Sequence, residues 1–277
     1  MEADYNLQID GVPFRLKAPF DFSFLRKYGT VFKVFDNQDS GNICFGIEDG
    51  ANRYFVKFAG APTVRAGVSA DEAVANIKNA APIYRDLAHP TLIRLIDAGE
   101  IGGGFVSVFE WVDAECLSAM YPASREKFLQ MPAETRQQVF ADILAFHAHV
   151  AKQGYVAIDF YDGSIMYDFQ NSRTVICDID FYAKTPYVNE MGRMWGSSRF
   201  MSPEEFTRGA AIDEITNVYT MGATAFALFG DERDRCIEKW TASRALFDVA
   251  KHAVSDDRCA RQQSIAQLIE EWAAARH

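Results

Sequence analysis

The stretch from Gly154 to Asp180 reads GYVAIDFYDGSIMYDFQNSRTVICDID. Short runs rich in Val, Ile and Tyr alternate with turn residues, so a strand-rich segment is predicted from Val156 to Tyr182. Two carboxylates, Asp159 and Asp180, stand at the ends of apolar runs. A carboxylate is costly to bury alone, so each is expected to reach solvent at a strand end, pair with a base, or hold a metal ion.

Helical patterns lie on both sides of this stretch. Apolar residues recur at helical spacing from Ala133 to Lys152, which predicts a long amphipathic helix. From Glu204 to the end of the chain the pattern is helical again. The chain after about residue 113 is therefore predicted to be mainly α-helical, with one strand-rich interlude.

The first third of the chain has the pattern of antiparallel strands. Runs rich in Val, Ile, Phe and Tyr, separated by turn clusters, predict five strands at 28–35, 42–48, 53–58, 92–101 and 104–111. A helix is predicted over 69–81, with Ser69 as its N-cap. Pro82 lacks a backbone N–H and is expected to kink or end this helix.

These patterns together predict an α+β protein with two lobes. The smaller, N-terminal lobe comprises residues 1–112 and is rich in antiparallel β-structure. The larger lobe comprises residues 113–277 and is mainly α-helical, with a connector near 110–117. Ligands often bind at the junction of two domains, so a binding cleft is expected between the lobes.

The composition narrows the classes of function. The 277 residues carry 28 Lys and Arg against 38 Asp and Glu, a formal charge of −10 at pH 7. An acidic surface repels phosphate backbones, so a nucleic-acid partner is not expected. The chain has five scattered cysteines, no signal-peptide pattern and no apolar run near the roughly 18 residues of a membrane span. A cytoplasmic protein without a membrane partner is therefore expected.

The order of the predicted elements resembles the protein-kinase fold from about Tyr28 to Trp272, in the manner of bacterial serine/threonine protein-kinase-like proteins. The segments that carry this resemblance, besides 154–164, are LAHPTLIRL (87–95), FEWV (109–112), DFY (180–182), GSSRFMSPE (196–204), NVYTMG (217–222) and RQQSI (261–265). In that fold the Glu of the Pro-Glu pair forms a buried salt bridge with a late Arg. The resemblance therefore implies a contact between Glu204 and Arg261.

The resemblance also implies roles for residues that bind a nucleotide and its metal ion. Lys57 would contact the phosphates of ATP, and Asp159 would act as the catalytic aspartate that orients the acceptor hydroxyl. Asp180 and Ser164 would bind Mg²⁺, a cation that prefers oxygen ligands. Asp178 is the alternative to Asp180, because residues two apart on a strand share a face. Asp180 is preferred since the following residue then matches the family's aromatic residue.

Three further residues are implied to hold the rest of the nucleotide. The backbone groups of Glu110 and Val112 would meet the adenine, and Glu115 would reach the ribose hydroxyls. Two other acids of the stretch, Asp162 and Asp168, are interpreted as solvated turn residues in preference to additional metal ligands.

The chain also departs from the family pattern. The turn at 36–41 takes the place of the glycine-rich loop but has one glycine, Gly41. Its acids, Asp36 and Asp39, would repel a triphosphate unless they point outward or face a cation. Ala80 stands where the family has the Glu partner of the strand Lys. The glycine loop is therefore divergent, and so is the catalytic loop, where Ser164 replaces the second metal-binding Asn of the family.

The function implied by the resemblance is an ATP- and Mg²⁺-dependent phosphotransferase that acts on Ser or Thr hydroxyls of a protein. Two alternatives stay open. Tyr161 and the DGS sequence at 162–164 are similar to the loops of small-molecule kinases such as the aminoglycoside phosphotransferases. The divergent loops favour, in contrast, an inactive pseudokinase that serves as a binding module. The expected partner is a hydroxyl acceptor, either a protein or a small molecule.

Overall fold

A computed structural model describes residues 4–276 of the chain. Over these residues the protein is α+β, with antiparallel sheets and six α-helices. The chain divides into two compact units. Unit 1 consists of Met1–Ala88 and Ile93–Val112, and unit 2 consists of His89–Leu92 and Asp113–His277.

Unit 1 contains a two-stranded hairpin, a five-stranded antiparallel sheet and one α-helix. Its elements are β1 (Tyr5–Ile9), β2 (Val12–Leu16), β3 (Thr30–Phe35), β4 (Asn42–Asp49), β5 (Asn52–Ala59), α1 (Ala70–Asp86), β6 (Leu95–Ile101) and β7 (Gly104–Glu110). β1 pairs with β2, and the other strands lie in the spatial order β3-β4-β5-β7-β6. The five predicted strands are present, whereas the β1–β2 hairpin was not predicted.

The two faces of the sheet are covered by different groups. Successive side chains of a strand point to opposite faces, so Val56 and Phe58 of β5 lie on one face and Ala59 on the other. The first face packs against an aromatic cluster, in which the Phe22 and Phe58 rings have centroids 6.0 Å apart. The second face packs against α1, where Ile77 is buried beside Ala59. Both faces of the sheet are therefore part of the core.

Helix α1 begins as predicted and ends later than predicted. The Ser69 side chain caps it by accepting a hydrogen bond from the Glu72 backbone N–H. Of the two outcomes expected at Pro82, a kink or an end of the helix, the end is wrong, because α1 continues to Asp86. Pro82 is exposed, while Tyr84 in the next turn is buried with its ring centroid 4.8 Å from that of Phe109. Packing of the last turn outweighs the loss of one backbone hydrogen bond.

Unit 2 contains five α-helices and three small antiparallel sheets among its described residues. Its elements are β8 (Glu115–Cys116), α2 (Pro122–Leu129), α3 (Ala133–Lys152), β9 (Tyr155–Val156), β10 (Ile165–Asp168), β11 (Arg173–Ile176), β12 (Ala183–Lys184), β13 (Tyr187–Val188), β14 (Ala211–Ile212), α4 (Glu214–Phe229), α5 (Arg244–Ala253) and α6 (Ile265–Ala274). β10 lies between β11 and β8, β12 pairs with β9, and β13 pairs with β14.

Helix α4 is the interior element of unit 2. Every residue from Thr216 to Phe229 is buried, as expected for a helix that packs on all sides. The predicted helix α3 packs beside it, and the Phe140 ring lies between Phe229 and Trp272 of α6, with centroids 6.2 and 4.5 Å away. These contacts join α3, α4 and α6 into one core.

Residues His89–Leu92 belong with unit 2. The backbone N–H of Ile176 donates to the Thr91 carbonyl over 2.7 Å, and Leu92 forms a parallel bridge with Ile176. The His89 ring centroid is 5.6 Å from that of Phe146 on α3. Across the described helices of both units, none has the length and apolar character needed to cross a membrane.

Candidate functional site

The loop that carries Asp159 is attached to the interior helix of unit 2. Asp159 follows β9 and the buried residues Ala157 and Ile158. The Asn217 side chain of α4 accepts from the Ala157 N–H and donates to the Ala157 carbonyl, each over 2.8 Å. A buried amide that satisfies both main-chain groups of one residue fixes the position of the loop.

Asp159 and Asp178 both have unusual backbone conformations. Their φ angles are +62° and +56°, in the left-handed region that non-glycine residues seldom adopt. Such conformations cost of order 1 kcal/mol or more each and persist only where the surrounding structure enforces them. They cluster at functional sites in proteins, and here they occur at two of the candidate carboxylates.

Asp159 and Asp178 both lie close enough to the Tyr161 hydroxyl for their charges to act on it. Burial raises the pKa of the Tyr161 hydroxyl, and the negative charges of Asp178 and Asp159 raise it further. Backbone hydrogen bonds connect Tyr161 with Ser164 and with the segment that carries Asp178. The Ser164 N–H donates to the Tyr161 carbonyl, and the Cys177 N–H donates to the Ser164 carbonyl. Unit 2 therefore brings Asp159, Asp178 and Ser164 into one neighbourhood.

The Ser164 side chain has an oxygen that could bind a metal ion. The residue is fully buried, and its hydroxyl oxygen makes no hydrogen bond with the residues the structure describes. Buried hydroxyls in native proteins are usually paired. A metal ion or a polar ligand group beside Ser164 would satisfy this oxygen.

The sequence suggested that Asp178 and Asp180 share one face of a strand, but neither residue lies on a strand. Strand β11 ends at Ile176, and the left-handed turn at Asp178 changes the chain direction. Asp178 is exposed, Ile179 is fully buried and Asp180 is half-buried. The buried Ile179 anchors this turn.

Phe181, the aromatic residue on which the preference for Asp180 rested, is 37% exposed. Its ring centroid is 6.4 Å from that of Trp195, itself an exposed residue. Tyr182 is the buried aromatic residue of this segment, and its hydroxyl hydrogen-bonds to His147 over 3.0 Å.

Asp162 is not the solvated turn residue that its position in the sequence suggested. It is 2% exposed, and both its oxygens accept hydrogen bonds of 2.8 Å from the Arg199 guanidinium. Arg125 of α2 lies 3.1 Å from the same carboxylate, and both arginines also contact Glu232 over 2.8 Å. We call these four residues the charge ring. Asp168 is not solvated either: it is the last residue of β10, it is 7% exposed, and its carboxylate accepts hydrogen bonds from the Asn171 N–H and side-chain amide.

The segment at 196–204 borders Asp159. A Cβ built on Gly196 would lie 3.5 Å from Asp159 Oδ1, so the main chain passes close to that carboxylate. At the end of the segment, Glu204 receives two hydrogen bonds from Arg261, of 2.7 and 3.0 Å. This confirms the contact that the resemblance implied. Hydrogen bonding to Arg261 outweighs the effect of burial and holds the pKa of Glu204 below its usual range.

The neighbouring acid, Glu205, is in a different environment. Burial raises the pKa of Glu205 to about 7, although the N–H and hydroxyl of Ser202 donate to its carboxylate. The charges of Glu204 and Asp159 add to this rise. Glu205 is therefore a carboxylic acid that changes charge near neutral pH inside unit 2.

Lys57 and the residues implied to bind adenine lie in unit 1. Lys57 is half-buried on the central strand β5, between Cys44 of β4 and Ser107 of β7. It lies on the face that carries α1, where Ala80, the residue that the resemblance implied would replace a Glu, is buried. The prediction that Lys57 lies on a strand is confirmed.

The other nucleotide candidates have distinct surroundings. The Glu110 carboxylate lies 3.8 Å from the Arg94 guanidinium, and the Glu110 N–H donates to the Arg94 carbonyl. The main-chain groups of Val112 make no hydrogen bond with residues 4–276. Glu115, in unit 2, forms an exposed ion pair of 2.6 Å with Lys127.

In the turn at 36–41, one of the two acids that could repel a triphosphate has a cationic neighbour. The Asp36 carboxylate accepts a 2.8 Å hydrogen bond from the Arg15 N–H and lies 3.7 Å from the Arg15 guanidinium. One of the two acids therefore faces a cation of β2. Gly41 has φ +80°, and a Cβ there would come within 2.9 Å of the Ala73 side chain. The turn thus packs closely against the first turn of α1.

Sequence reasoning missed Arg125, Arg199 and Glu232 as the other members of the charge ring. The paired residues are 33 or more positions apart along the chain, and no local pattern links them. Within residues 4–276, no group of three or more His, Cys, Asp or Glu side chains is arranged to hold a metal ion. No protein-family model and no curated protein matches the chain.

Proposed function

We propose that the chain is a protein-kinase-like phosphotransferase that transfers the terminal phosphoryl group of ATP to a hydroxyl of a protein. The observation that carries the proposal is the neighbourhood of Asp159, Asp178 and Ser164 in unit 2. Two carboxylates are held there in left-handed backbone conformations, and the adjacent hydroxyl is buried without a hydrogen-bond partner among the described residues. The contact between Glu204 and Arg261 supports the same fold family.

The proposal includes the two-lobed arrangement of that family. The β-rich composition of unit 1, with one helix on its sheet, supports an N-lobe, and the mainly helical unit 2 supports a C-lobe.

In this proposal Asp159 orients the acceptor. Its carboxylate accepts the hydroxyl proton as the acceptor oxygen bonds to the terminal phosphorus, the bond from that phosphorus to the bridging oxygen breaks, and ADP leaves. The attachment of the loop to Asn217 supports this role, because a group that orients a reactant must be held in place. Lys57 supplies a positive charge to the phosphates.

We assign the metal-binding role to Asp178 in preference to Asp180. Asp178 shares the neighbourhood of Tyr161 with Asp159, and its backbone is strained in the same way. Ser164 supplies the second protein oxygen. One carboxylate and one hydroxyl suit Mg²⁺ bound together with substrate phosphates, since this ion commonly uses few protein ligands and would there neutralise phosphate charge. The main chain of Val112 is available for the adenine.

The experiment is phosphoryl transfer from radiolabelled ATP with Mg²⁺, using a mixture of proteins and, separately, aminoglycosides as acceptors. We expect labelled protein from the wild type and none from Asp159→Asn, while ATP with Mg²⁺ raises the melting temperature of both. Asp168→Asn is the matched control, because it changes an acid of the same hairpin outside the site.

Each other result has a definite meaning. Labelled aminoglycoside without labelled protein would identify a small-molecule kinase. A melting temperature unchanged by ATP, together with no transfer, would identify a pseudokinase and contradict the proposal. Undiminished transfer by Asp159→Asn would show that another group orients the acceptor.

A further inference from the structure

A cavity of about 790 Å³ lies beside residues 197–199 of unit 2. Four cationic side chains line it, namely Arg199, Arg233, Arg235 and Lys251, together with two carboxylates, Glu232 and Asp234. The cavity thus has a surplus of positive charge in a chain whose formal charge is −10.

Both carboxylates of the cavity have cationic partners. Glu232 belongs to the charge ring and contacts both Arg125 and Arg199 over 2.8 Å. Asp234 lies 3.1 Å from Lys239, which does not line the cavity and also pairs with Asp231 over 2.9 Å. One acid that is partly balanced by Lys239 therefore stands against the charges of Arg233, Arg235 and Lys251, and the surplus in the cavity stays positive.

Arg235 is held in position by neutral groups. Its guanidinium donates to the Tyr219 hydroxyl over 2.9 Å and to the Arg199 carbonyl over 2.7 Å. It also lies 5.1 Å from the centre of the Tyr219 ring. A half-buried guanidinium with fixed geometry and neutral partners has donors oriented for an anion.

Arg233 and Lys251 are exposed at the same cavity. Neither forms an ion pair with any residue from 4 to 276. Together with Arg235, they place three positive charges at the cavity without an acidic partner. Like charges in one cavity repel each other, and a bound anion would remove that repulsion.

We propose that this cavity binds an anionic side chain of the acceptor polypeptide, a carboxylate or a phosphomonoester. The inference rests on the proposed function and names the class of its substrate. Gly196 lies near Asp159, since a Cβ built on it would be 3.5 Å from Asp159 Oδ1, and the next residues of the segment line the cavity. An extended peptide advances roughly 3.3 Å per residue, and we place the anion about three residues, roughly 10 Å, from the acceptor hydroxyl. A polycationic aminoglycoside would be repelled.

The experiment measures binding of fluorescein-labelled peptides to the full chain by anisotropy, without nucleotide. Three peptides differ only at one position, three residues from the acceptor Ser, which holds Ser, Glu or phosphoserine. We expect the phosphoserine peptide to bind about tenfold or more tightly than the Ser peptide, as expected for charge-assisted hydrogen bonds. Tight binding of the Glu peptide as well would show that a carboxylate suffices.

The variants Arg233→Gln and Lys251→Gln each remove one exposed charge without disturbing packing, and each should lower affinity for the phosphoserine peptide several-fold. Arg244→Gln is the matched control, because Arg244 lies on the same helix as Lys251, outside the cavity, and pairs with Asp248. Affinity for the Ser peptide should not change in any variant.

Equal affinity for the three peptides would overturn the inference. It would also be overturned if Arg244→Gln lowered the affinity for the phosphoserine peptide as much as Arg233→Gln and Lys251→Gln do, since the peptide would then be attracted by net charge alone. Because binding is measured without ATP, discrimination between peptides without phosphoryl transfer would contradict the proposed function and leave the anion site standing. Transfer without discrimination would contradict the anion site alone.

Discussion

The guanidinium of Arg261 meets the carboxylate of Glu204 through two hydrogen bonds of 2.7 and 3.0 Å, across 57 positions of sequence. The Arg261 side chain has no exposed surface, and that of Glu204 is 10% exposed. A buried charge that loses its partner retains its full desolvation cost.

Glu204→Gln should therefore lower the free energy of unfolding by about 3 to 5 kcal/mol, since it leaves the Arg261 charge without its nearest anion. Urea unfolding measures this change. The control is Asp248→Asn, which breaks the exposed pair with Arg244 and should cost less than about 1 kcal/mol. Equal effects of the two substitutions would mean that burial of the pair contributes nothing.

Glu205 predicts a pH dependence of stability. Its pKa is raised to about 7 in the folded protein, above an ordinary value of 4.5. Between these values the folded state binds the proton and the unfolded state does not, so this group favours folding at low pH. Its contribution is fully present below pH 4.5 and is lost as the pH rises through 7.

The variant Glu205→Gln carries no titrating group and isolates this effect. Relative to the variant, the wild type should lose up to about 3 kcal/mol of unfolding free energy between pH 4.5 and pH 8. Urea unfolding across this range provides the measurement. A difference between the two proteins that stays constant with pH would show that Glu205 titrates normally.

Gly104 and Gly99 form a matched pair of glycines on neighbouring strands. A Cβ on Gly104 would lie 2.0 Å from the Ala59 carbonyl oxygen, whereas nothing lies within 4 Å of one on Gly99. Gly104→Ala should cost about 2 kcal/mol or more, because the backbone of β5 must move. Gly99→Ala should be neutral or slightly stabilising in thermal unfolding. Similar melting temperatures for the two variants would contradict the close approach at Gly104.

The two acids that follow β11 provide a test of the metal assignment. Asp178→Asn should weaken the Mg²⁺-dependent binding of ATP about tenfold or more, since it removes the charged ligand. Asp180→Asn should change it less than about twofold. Titration of ATP with and without Mg²⁺, followed by intrinsic fluorescence, measures both. The reverse order would restore the assignment to Asp180 that the sequence suggested.

Most regular elements could be predicted where the sequence has a strong period. Helix α3 was predicted over its full length because its apolar residues recur over five turns. Helix α2 was missed because just two of its eight residues, Ser124 and Phe128, are buried, which leaves no apolar stripe. The hairpin β1–β2 was missed because its strands are short and largely exposed, and Pro13 argues against a strand.

The site could be predicted in part. The loop position of Asp159 followed from a carboxylate at the end of an apolar run. The choice between Asp178 and Asp180 depends on a left-handed turn that alternation along a strand does not indicate. The pairing of Glu204 with Arg261 was accessible through family resemblance alone, since spacing along the chain contains no such information.

The charge ring has an evolutionary consequence. Each of its two arginines contacts both acids, so replacement of any one member leaves one unbalanced charge among side chains that are at most 16% exposed. Homologous sequences should accordingly show correlated exchange at positions 125, 162, 199 and 232, with all four charges inherited together or all four replaced by neutral residues. A homologue that keeps three of the four charged residues would need another charged side chain or a bound ion to balance the fourth position.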